Sequence, residues 1–276
     1  MLIDSHQHFW NFDSEEFAWI TQEMSLIKKD FLPGDLKPIL QEHDFDGCVT
    51  VQAQQSEDET NFLLKLAECN DFIKGVVGWA DLQAENINER LAYFKQFEKL
   101  KGFRHVLQGE IKRDLMLSQD FKRGISLLNN YNFTYDILIF PDQLVFAKEL
   151  VKEFPEQKFV IDHLAKPYIK DGKIEEWKKD MEAISSFNNV YCKISGMVTE
   201  ADWKKWKTQD FFPYLDIIVN SFGTDRIMYG SDWPVCLVAS SYTQALNILK
   251  EYFSSFSKDE QDLFFGNNAA KFYNLN

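Results

Sequence analysis

Apolar and polar positions along the chain fall into two alternating regimes. Short runs rich in β-branched and aromatic residues recur eight times: LIDSHQHF (2–9), GCVTVQAQ (47–54), IKGVVGWADL (73–82), GFRHVLQ (102–108), FTYDILI (133–139), KFVIDHL (158–164), NVYCKISGM (189–197) and RIMYGSDW (226–233). Between them lie stretches such as ETNFLLKLAECN, INERLAYFKQFEKL, PDQLVFAKELVKEF and IEEWKKDMEAISSF, with apolar residues at three- and four-residue spacings, which predicts amphipathic helices. Eight strand-helix units in 276 residues predict a single (β/α)8 TIM barrel. Parallel strands buried on both faces explain the near-continuous apolar runs better than a one-sided antiparallel sheet does. An open doubly wound sheet is the alternative, but no Gly-rich phosphate fingerprint follows the first run. Residues 10–46 read as a loop with helical pieces, and EYFSSFSKDEQDLFFGNNAAKFYNL as terminal helices. With no internal repeat, low-complexity tract or linker, residues 1–276 read as one barrel domain.

Composition narrows the partners. A formal charge of −13, from 43 acidic against 30 basic residues, argues against a nucleic-acid partner, because a phosphate backbone needs clustered Lys and Arg. Asp4 comes too early for a signal-peptide core and no run reaches the ~20 apolar residues of a membrane span, so a cytoplasmic protein with no membrane contact is expected. Cys48, Cys69, Cys192 and Cys236 are scattered without a C-x-x-C pair and read as reduced thiols with no assigned role. A homo-oligomer is left open.

Barrel chemistry sits where the strands end, so the residues closing each run carry the information. His6 and His8 share a face of strand one, with Cα atoms about 6.6 Å apart, and can converge on one ion. His163 closes strand six and Asp232 closes strand eight, which lies beside strand one in a closed barrel. Three imidazole nitrogens and a carboxylate suffice for one divalent metal, Zn²⁺ foremost, with a position open for water. Singly, an H-x-H pair or a lone histidine is more often surface or core decoration. Their joint placement at the ends of strands one, six and eight favours a functional site, for catalysis or for metal.

Arg104, on strand four, is an apolar-flanked cation that needs an internal carboxylate or a bound anionic or carbonyl group. His105 has the opposite parity and ranks below it. His43, in QEHDFDG, is expected to be solvated. Trp10, Gln52, Gln54, Trp79, Tyr135, Asp136, Lys166, Lys193 and Trp233 fall at or near strand ends. Aromatic faces beside hydrogen-bonding groups suit a small polyhydroxylated substrate, and Arg104, Trp10, Gln52, Trp79, Tyr135, Lys166 and Trp233 are the expected substrate contacts. About half of such a set would serve only packing or capping. Asp4 shares the parity of His6 and His8 and is expected either to orient them from below or to pair with a core cation.

Taken together, DSHQHFW, GFRHVLQ, DHLAKP, CKISGM and YGSDWPV, in that order, resemble the amidohydrolase superfamily. The resemblance is narrowest to the branch of sugar-lactone hydrolases, of the L-fuconolactonase and L-rhamnonolactonase kind, and dicarboxylate-lactone hydrolases. It covers essentially the whole chain, including the closing GNNAAKFYNL. It implies that His6 and His8 match the strand-one pair, His163 the strand-six histidine and Asp232 the strand-eight aspartate. A bridging Lys or Glu on strand four and a histidine ending strand five are both missing, so a two-metal site is not expected. The branch implies one divalent metal or none.

The chemistry expected is hydrolysis of an aldonolactone to its sugar acid. Asp232 takes a proton from water, while His6, His8 and His163 stabilise the developing oxyanion directly or through an ion. No G-x-S-x-G elbow supports a serine mechanism. Three rivals are a muconate-type dicarboxylate lactonase, a metal-dependent decarboxylase on the same scaffold, and a barrel that binds its ligand without turning it over.

Overall fold

The computed structural model describes residues 1–275. Eight parallel strands follow one another around a single sheet in chain order: β1 (Ile3–Gln7), β2 (Gly47–Val51), β3 (Ile73–Gly78), β4 (Leu100–His105), β5 (Thr134–Ile137), β6 (Phe159–Ile161), β7 (Val190–Ile194) and β8 (Ile227–Tyr229). Each expected run contains or overlaps one strand, and β4 begins two residues before its run. Backbone bonds close the ring between the ends of β8 and β1: Asp232 N donates to His6 O (2.8 Å) and His8 N to Trp233 O (2.7 Å).

A helix follows each strand: α1 (Pro33–Glu42), α2 (Glu57–Cys69), α3 (Ile87–Phe94), α4 (Gln119–Leu128), α5 (Leu144–Glu153), α6 (Glu175–Ser185), α7 (Phe212–Phe222) and α8 (Tyr242–Tyr252); α9 (Lys258–Asp262) and α10 (Asn268–Tyr273) finish the chain. Serines cap several of them, with Ser56 accepting from Glu59 N at the start of α2 and Ser241 from Gln244 N at the start of α8. The helical pattern read over 87–100 ends at Phe94, because residues 95–99 turn into β4, whose Leu100 already pairs with Val76. No helix among the described residues is long and apolar enough to cross a membrane.

The larger apolar core lies between the strands and their helices. A second cluster fills the barrel's lower interior: Ile3, Val49, Val51, Val77, Val160 and Met228, with Ala269, Phe272 and Tyr273 of α10 closing it from below. Above this apolar floor the interior turns polar, with Arg104, Asp136, Asp162 and Lys193 all buried. The floor therefore carries the packing and leaves the strand ends to chemistry.

Ile3 and His6 both face the interior although they are three residues apart. The β1–β2 register slips between Asp4 and Gln7, which accommodates the odd spacing. Asp4 consequently does not lie beneath the imidazoles. Its Oδ1 accepts from Ser231 N (2.9 Å) and His6 N (3.3 Å), and its Oδ2 from Tyr242 OH (3.2 Å). Burial pushes its carboxyl up to about 6 against those hydrogen bonds. Asp4 thus fixes the chain that presents Asp232, rather than the histidine rings.

Candidate active site

The four predicted ligand-type residues meet at the mouth of the barrel. Asp232 Oδ1 lies 3.3 Å from His8 Nε2, 3.9 Å from His163 Nε2 and 4.0 Å from His6 Nε2, with every member buried. The His6 ring centroid is 5.0 Å from that of His8 and 4.4 Å from that of His163.

Each imidazole is held through a nitrogen that faces away from Asp232. His8 Nδ1 donates to Val51 O (2.7 Å), since a carbonyl only accepts, and this leaves Nε2 aimed at Asp232. His163 Nδ1 pairs with Ser195 Oγ (2.8 Å), a hydroxyl that can donate or accept and so serves either tautomer. His6 Nδ1 lies 3.3 Å from Asp162 Oδ1, while its Nε2 accepts from Arg104 Nη1 (3.2 Å).

Beneath His6 is a buried charge cluster. Lys193 Nζ donates to Asp136 Oδ2 (2.6 Å) and lies 3.2 Å from Asp162 Oδ1 and 3.1 Å from His6 Nδ1. Arg104 Nη1 donates to Asp162 Oδ2 (2.9 Å), and Tyr273 OH, from the closing helix, to Asp136 Oδ2 (2.7 Å). Two cations and two carboxylates balance, as a cluster this deep requires. Burial drives the His6 imidazole well below its ordinary value, and Lys193 adds to the effect. His163 is lowered to about 4 by burial. Burial pushes the Asp232 carboxyl up, but the imidazoles of His163, His8 and His6 outweigh it and hold the group well below the usual carboxylate range. At neutral pH the site therefore pairs an anionic Asp232 with neutral His6 and His163.

Backbone strain concentrates at the same place. Four successive non-glycine residues, His163, Leu164, Ala165 and Lys166, take φ between 53° and 55°, and Asp232 takes φ 56°. Such conformations cost about 1–3 kcal/mol each and persist only where the surroundings impose them. Gly196, at φ +64°, packs against both: a Cβ there would lie 2.7 Å from His163 Nδ1 and 3.2 Å from Asp232 Oδ2. The ends of β6, β7 and β8 thus interlock around the reacting groups.

A cleft of about 930 Å³ opens over this cluster. Of the expected substrate contacts, Trp10, Arg104 and Lys166 line it. Trp10 is fixed by Nε1–H donating to Lys29 O (2.9 Å) and stacks beside His8 at 6.3 Å. Arg104 borders the cleft but has no donor to spare: Nε bonds Gln52 Oε1, Nη2 bonds Gln52 Oε1 and O, and Nη1 bonds Asp162 and His6. Internal pairing therefore accounts for Arg104, and the fully buried Gln52 is its partner rather than a wall of the cleft.

Three aromatic assignments are corrected. Tyr135 has the opposite parity from inward-facing Asp136 and packs among Phe121 and Phe159 in the helix layer. Trp233 is wedged against Phe9 and Phe31 and is 2% exposed. Trp79 directs Nε1–H to His105 Nδ1 (3.3 Å), away from the cleft, and His105 Nε2 donates to Glu110 (2.8 Å), as its outward parity required. His43, expected in solvent, is half-buried, hydrogen-bonds Thr243 Oγ1 (2.8 Å) and stacks on Tyr242.

Several cleft residues carried no sequence signal. Glu59, pushed up to about 7 by burial, accepts from Ala53 N and Gln54 N and shapes the loop after β2. Glu16, Trp19, Glu200 and Trp203 reach the cleft from loops. Asp162 went unnoticed beside His163, although strand parity turns it inward.

The barrel and its four converging donors define a hydrolase of the amidohydrolase type, and the chain belongs to the Amidohydrolase family, which it matches over residues 3–275. It is 36% identical to an L-fucono-1,5-lactonase of Burkholderia multivorans, across 100% of this chain and 96% of that one. An L-fucono-1,5-lactonase of Burkholderia ambifaria is 32% identical across 99% of this chain and 95% of its own length. A crystal structure of a Burkholderia multivorans amidohydrolase with bound zinc superposes with a TM-score of 0.97 at 36% identity, each chain covered completely.

Proposed function

We propose that this protein hydrolyses a neutral sugar lactone, an aldonolactone, to the sugar acid. The observation carrying the choice of substrate is the charge inventory of the cleft. Its cations are Arg104, with every donor engaged, and Lys166, paired with Glu200; its acids are Glu16, Asp58, Glu59, Glu200 and Asp232. A substrate carboxylate would meet five acidic groups and one available cation, the partly engaged Lys166, which disfavours a dicarboxylate lactone. Trp19 and Trp203 offer ring faces to the C–H side of a sugar, while Trp10, 1% exposed, packs behind Trp19. The two lactonase relatives support the same class of substrate.

Asp232, anionic at neutral pH, accepts the proton of a water molecule as the water oxygen adds to the lactone carbonyl. Bond formation acidifies that water, so even a carboxylate of low basicity can take the proton. His163, with Ser195 donating to Nδ1, carries its proton on Nε2 and donates it as a hydrogen bond to the developing oxyanion. When the ring C–O bond breaks, protonated Asp232 returns its proton to the ring oxygen, which leaves as a hydroxyl. His6 holds its place through Asp162 and Arg104, and His8 through Val51, so the cluster meets the reaction without rearranging.

Three of these donors, His6, His8 and Asp232, also fit one divalent ion, their ligand atoms all lying within 4.8 Å of one another, while His163 groups instead with His6 and Asp162. Around tetrahedral zinc, bonds of about 2.0–2.2 Å place the ligand atoms roughly 3.3–3.6 Å apart. The observed separations of 3.3, 3.9 and 4.0 Å from Asp232 Oδ1 to His8, His163 and His6 are close to that. His6 Nε2 already accepts from Arg104, so of the four donors it is the one an ion must win from a guanidinium. An ion held by His6, His8 and Asp232, beside His163, would supply Lewis-acid polarisation of the carbonyl. Zinc added to chelator-treated protein is expected to raise Tm by several degrees, and His8→Ala to abolish the rise. No shift in the wild-type protein would count against the metal site.

The reading is tested by acid release from aldono-1,4- and 1,5-lactones with purified protein and an Asp232→Asn control. Release by the wild-type protein that the control lacks is the expected result.

A further inference from the structure

We propose that the ion pair of Lys166 and Glu200 is the element of the cleft that reads substrate hydroxyls, and so sets the enzyme's preference for polyhydroxylated over unsubstituted lactones. The inference rests on the lactonase reading above and identifies what in the cleft recognises the sugar.

Both residues are built onto the catalytic frame. Lys166 is the fourth of the left-handed residues that begin at His163, and its N–H donates to His163 O (2.7 Å). A turn with three-residue spacing brings positions 163 and 166 to one side, and both line the cleft. No glycine relieves this turn. The strain is consistent with a requirement to place the His163 imidazole and the Lys166 ammonium together. Glu200 ends the short 3-10 turn Met197–Glu200, which follows directly on Gly196, the residue packed against His163 and Asp232. The pair is thereby fixed relative to the reacting carbonyl.

The pair is also only partly committed to itself. Lys166 Nζ lies 3.5 Å from Glu200 Oε1, long for a hydrogen bond, and the side chains are 19% and 20% exposed, open to the cleft without being surface groups. Neither side chain has another hydrogen-bond partner among the described residues; the ammonium also sits over the Phe140 ring at 5.8 Å. An ammonium has three donors and a carboxylate about four acceptor sites, so most of their capacity is unspent. A hydroxyl both donates and accepts, and two neighbouring hydroxyls can bond the ammonium and the carboxylate at once. A substrate carboxylate can satisfy only Lys166 and is repelled by Glu200, so the same pair discriminates against anionic lactones. Because each element also carries a catalytic contact, hydroxyl binding positions the ring carbonyl over His163 and Asp232.

The test compares kcat/KM for an aldono-1,5-lactone with that for δ-valerolactone, the same ring without hydroxyls, in the wild-type protein, Lys166→Met and Glu200→Gln. Hydrogen bonds to charged groups are worth enough that the sugar-to-valerolactone ratio is expected to fall about tenfold in each variant. A ratio within threefold of wild type in either variant overturns the proposal, whether both rates hold, as for a structural ion pair, or both fall together, as for a group acting in the chemistry or the fold. The wild-type arm separates failure of the lactonase reading. A wild-type protein inactive on sugar lactones overturns both, whereas an active wild-type protein with unaltered variant ratios overturns the role of the pair alone.

Discussion

Asp232→Asn is expected to lower kcat/KM for lactone hydrolysis by about 10³-fold, within the usual worth of a general base. The substitution preserves shape at a site where Oδ1 is 3.3 Å from His8 Nε2 and the backbone N–H donates to His6 O, so the barrel seam remains closed. What is lost is the capacity to hold the water's proton and return it to the ring oxygen. KM should change far less than kcat, because the cleft walls are untouched. Steady-state kinetics beside a thermal unfolding scan check this, and a variant retaining a tenth of wild-type kcat would contradict the role of Asp232.

Lys193→Met is expected to destabilise the fold by about 3–5 kcal/mol, the usual consequence of stripping one partner from a buried ionic cluster. For a chain of this size that is a fall in Tm of roughly 10 °C. Lys193 is fully buried and faces Asp136, Asp162 and His6, so its removal leaves one cation, Arg104, against two carboxylates. The loss should depend on pH with a definite sign. Asp136 already sits at about 6, raised by burial with Lys193 opposing, and without Lys193 it rises further. A carboxyl whose folded value exceeds its unfolded value binds its proton more tightly when folded, so stability falls as pH rises through that range. The variant should therefore lose more stability at pH 8 than at pH 5. Adding Asp136→Asn should recover part of the loss, and a Tm within 2 °C of wild type would refute the account of the cluster.

Fold and site were legible in the sequence to different depths, for physical reasons. Parallel strands buried on both faces leave contiguous apolar runs, so all eight strands stood out, with their ends overextended except at β4, whose first two residues were missed. His6, His8, His163 and Asp232 were readable because they close strands that a barrel brings together. Tyr135 was misplaced by neglecting the same parity that correctly set His105 aside: if Asp136 points inward, Tyr135 does not. Asp4 was misplaced for a reason the sequence hides, since the register slip in β1 leaves no glycine or proline to mark it. The left-handed turn at His163–Lys166 is equally silent, being made of residues that ordinarily avoid it. Glu200 and Trp203 reach the cleft from loop segments whose positions follow from packing rather than periodicity. Arg104 was recognised as needing a partner, and the structure supplies Asp162, Gln52 and His6.

The central claim is that this cleft turns over a neutral sugar lactone, and one measurement tests it most directly. Acid release by the wild-type protein is followed with a pH indicator for aldono-1,4- and 1,5-lactones beside dicarboxylate lactones under identical conditions. The charge inventory of the cleft predicts kcat/KM at least about 100-fold higher for the best sugar lactone than for any dicarboxylate lactone. Equal or greater turnover of a dicarboxylate lactone, or no acid release from any sugar lactone, would contradict it.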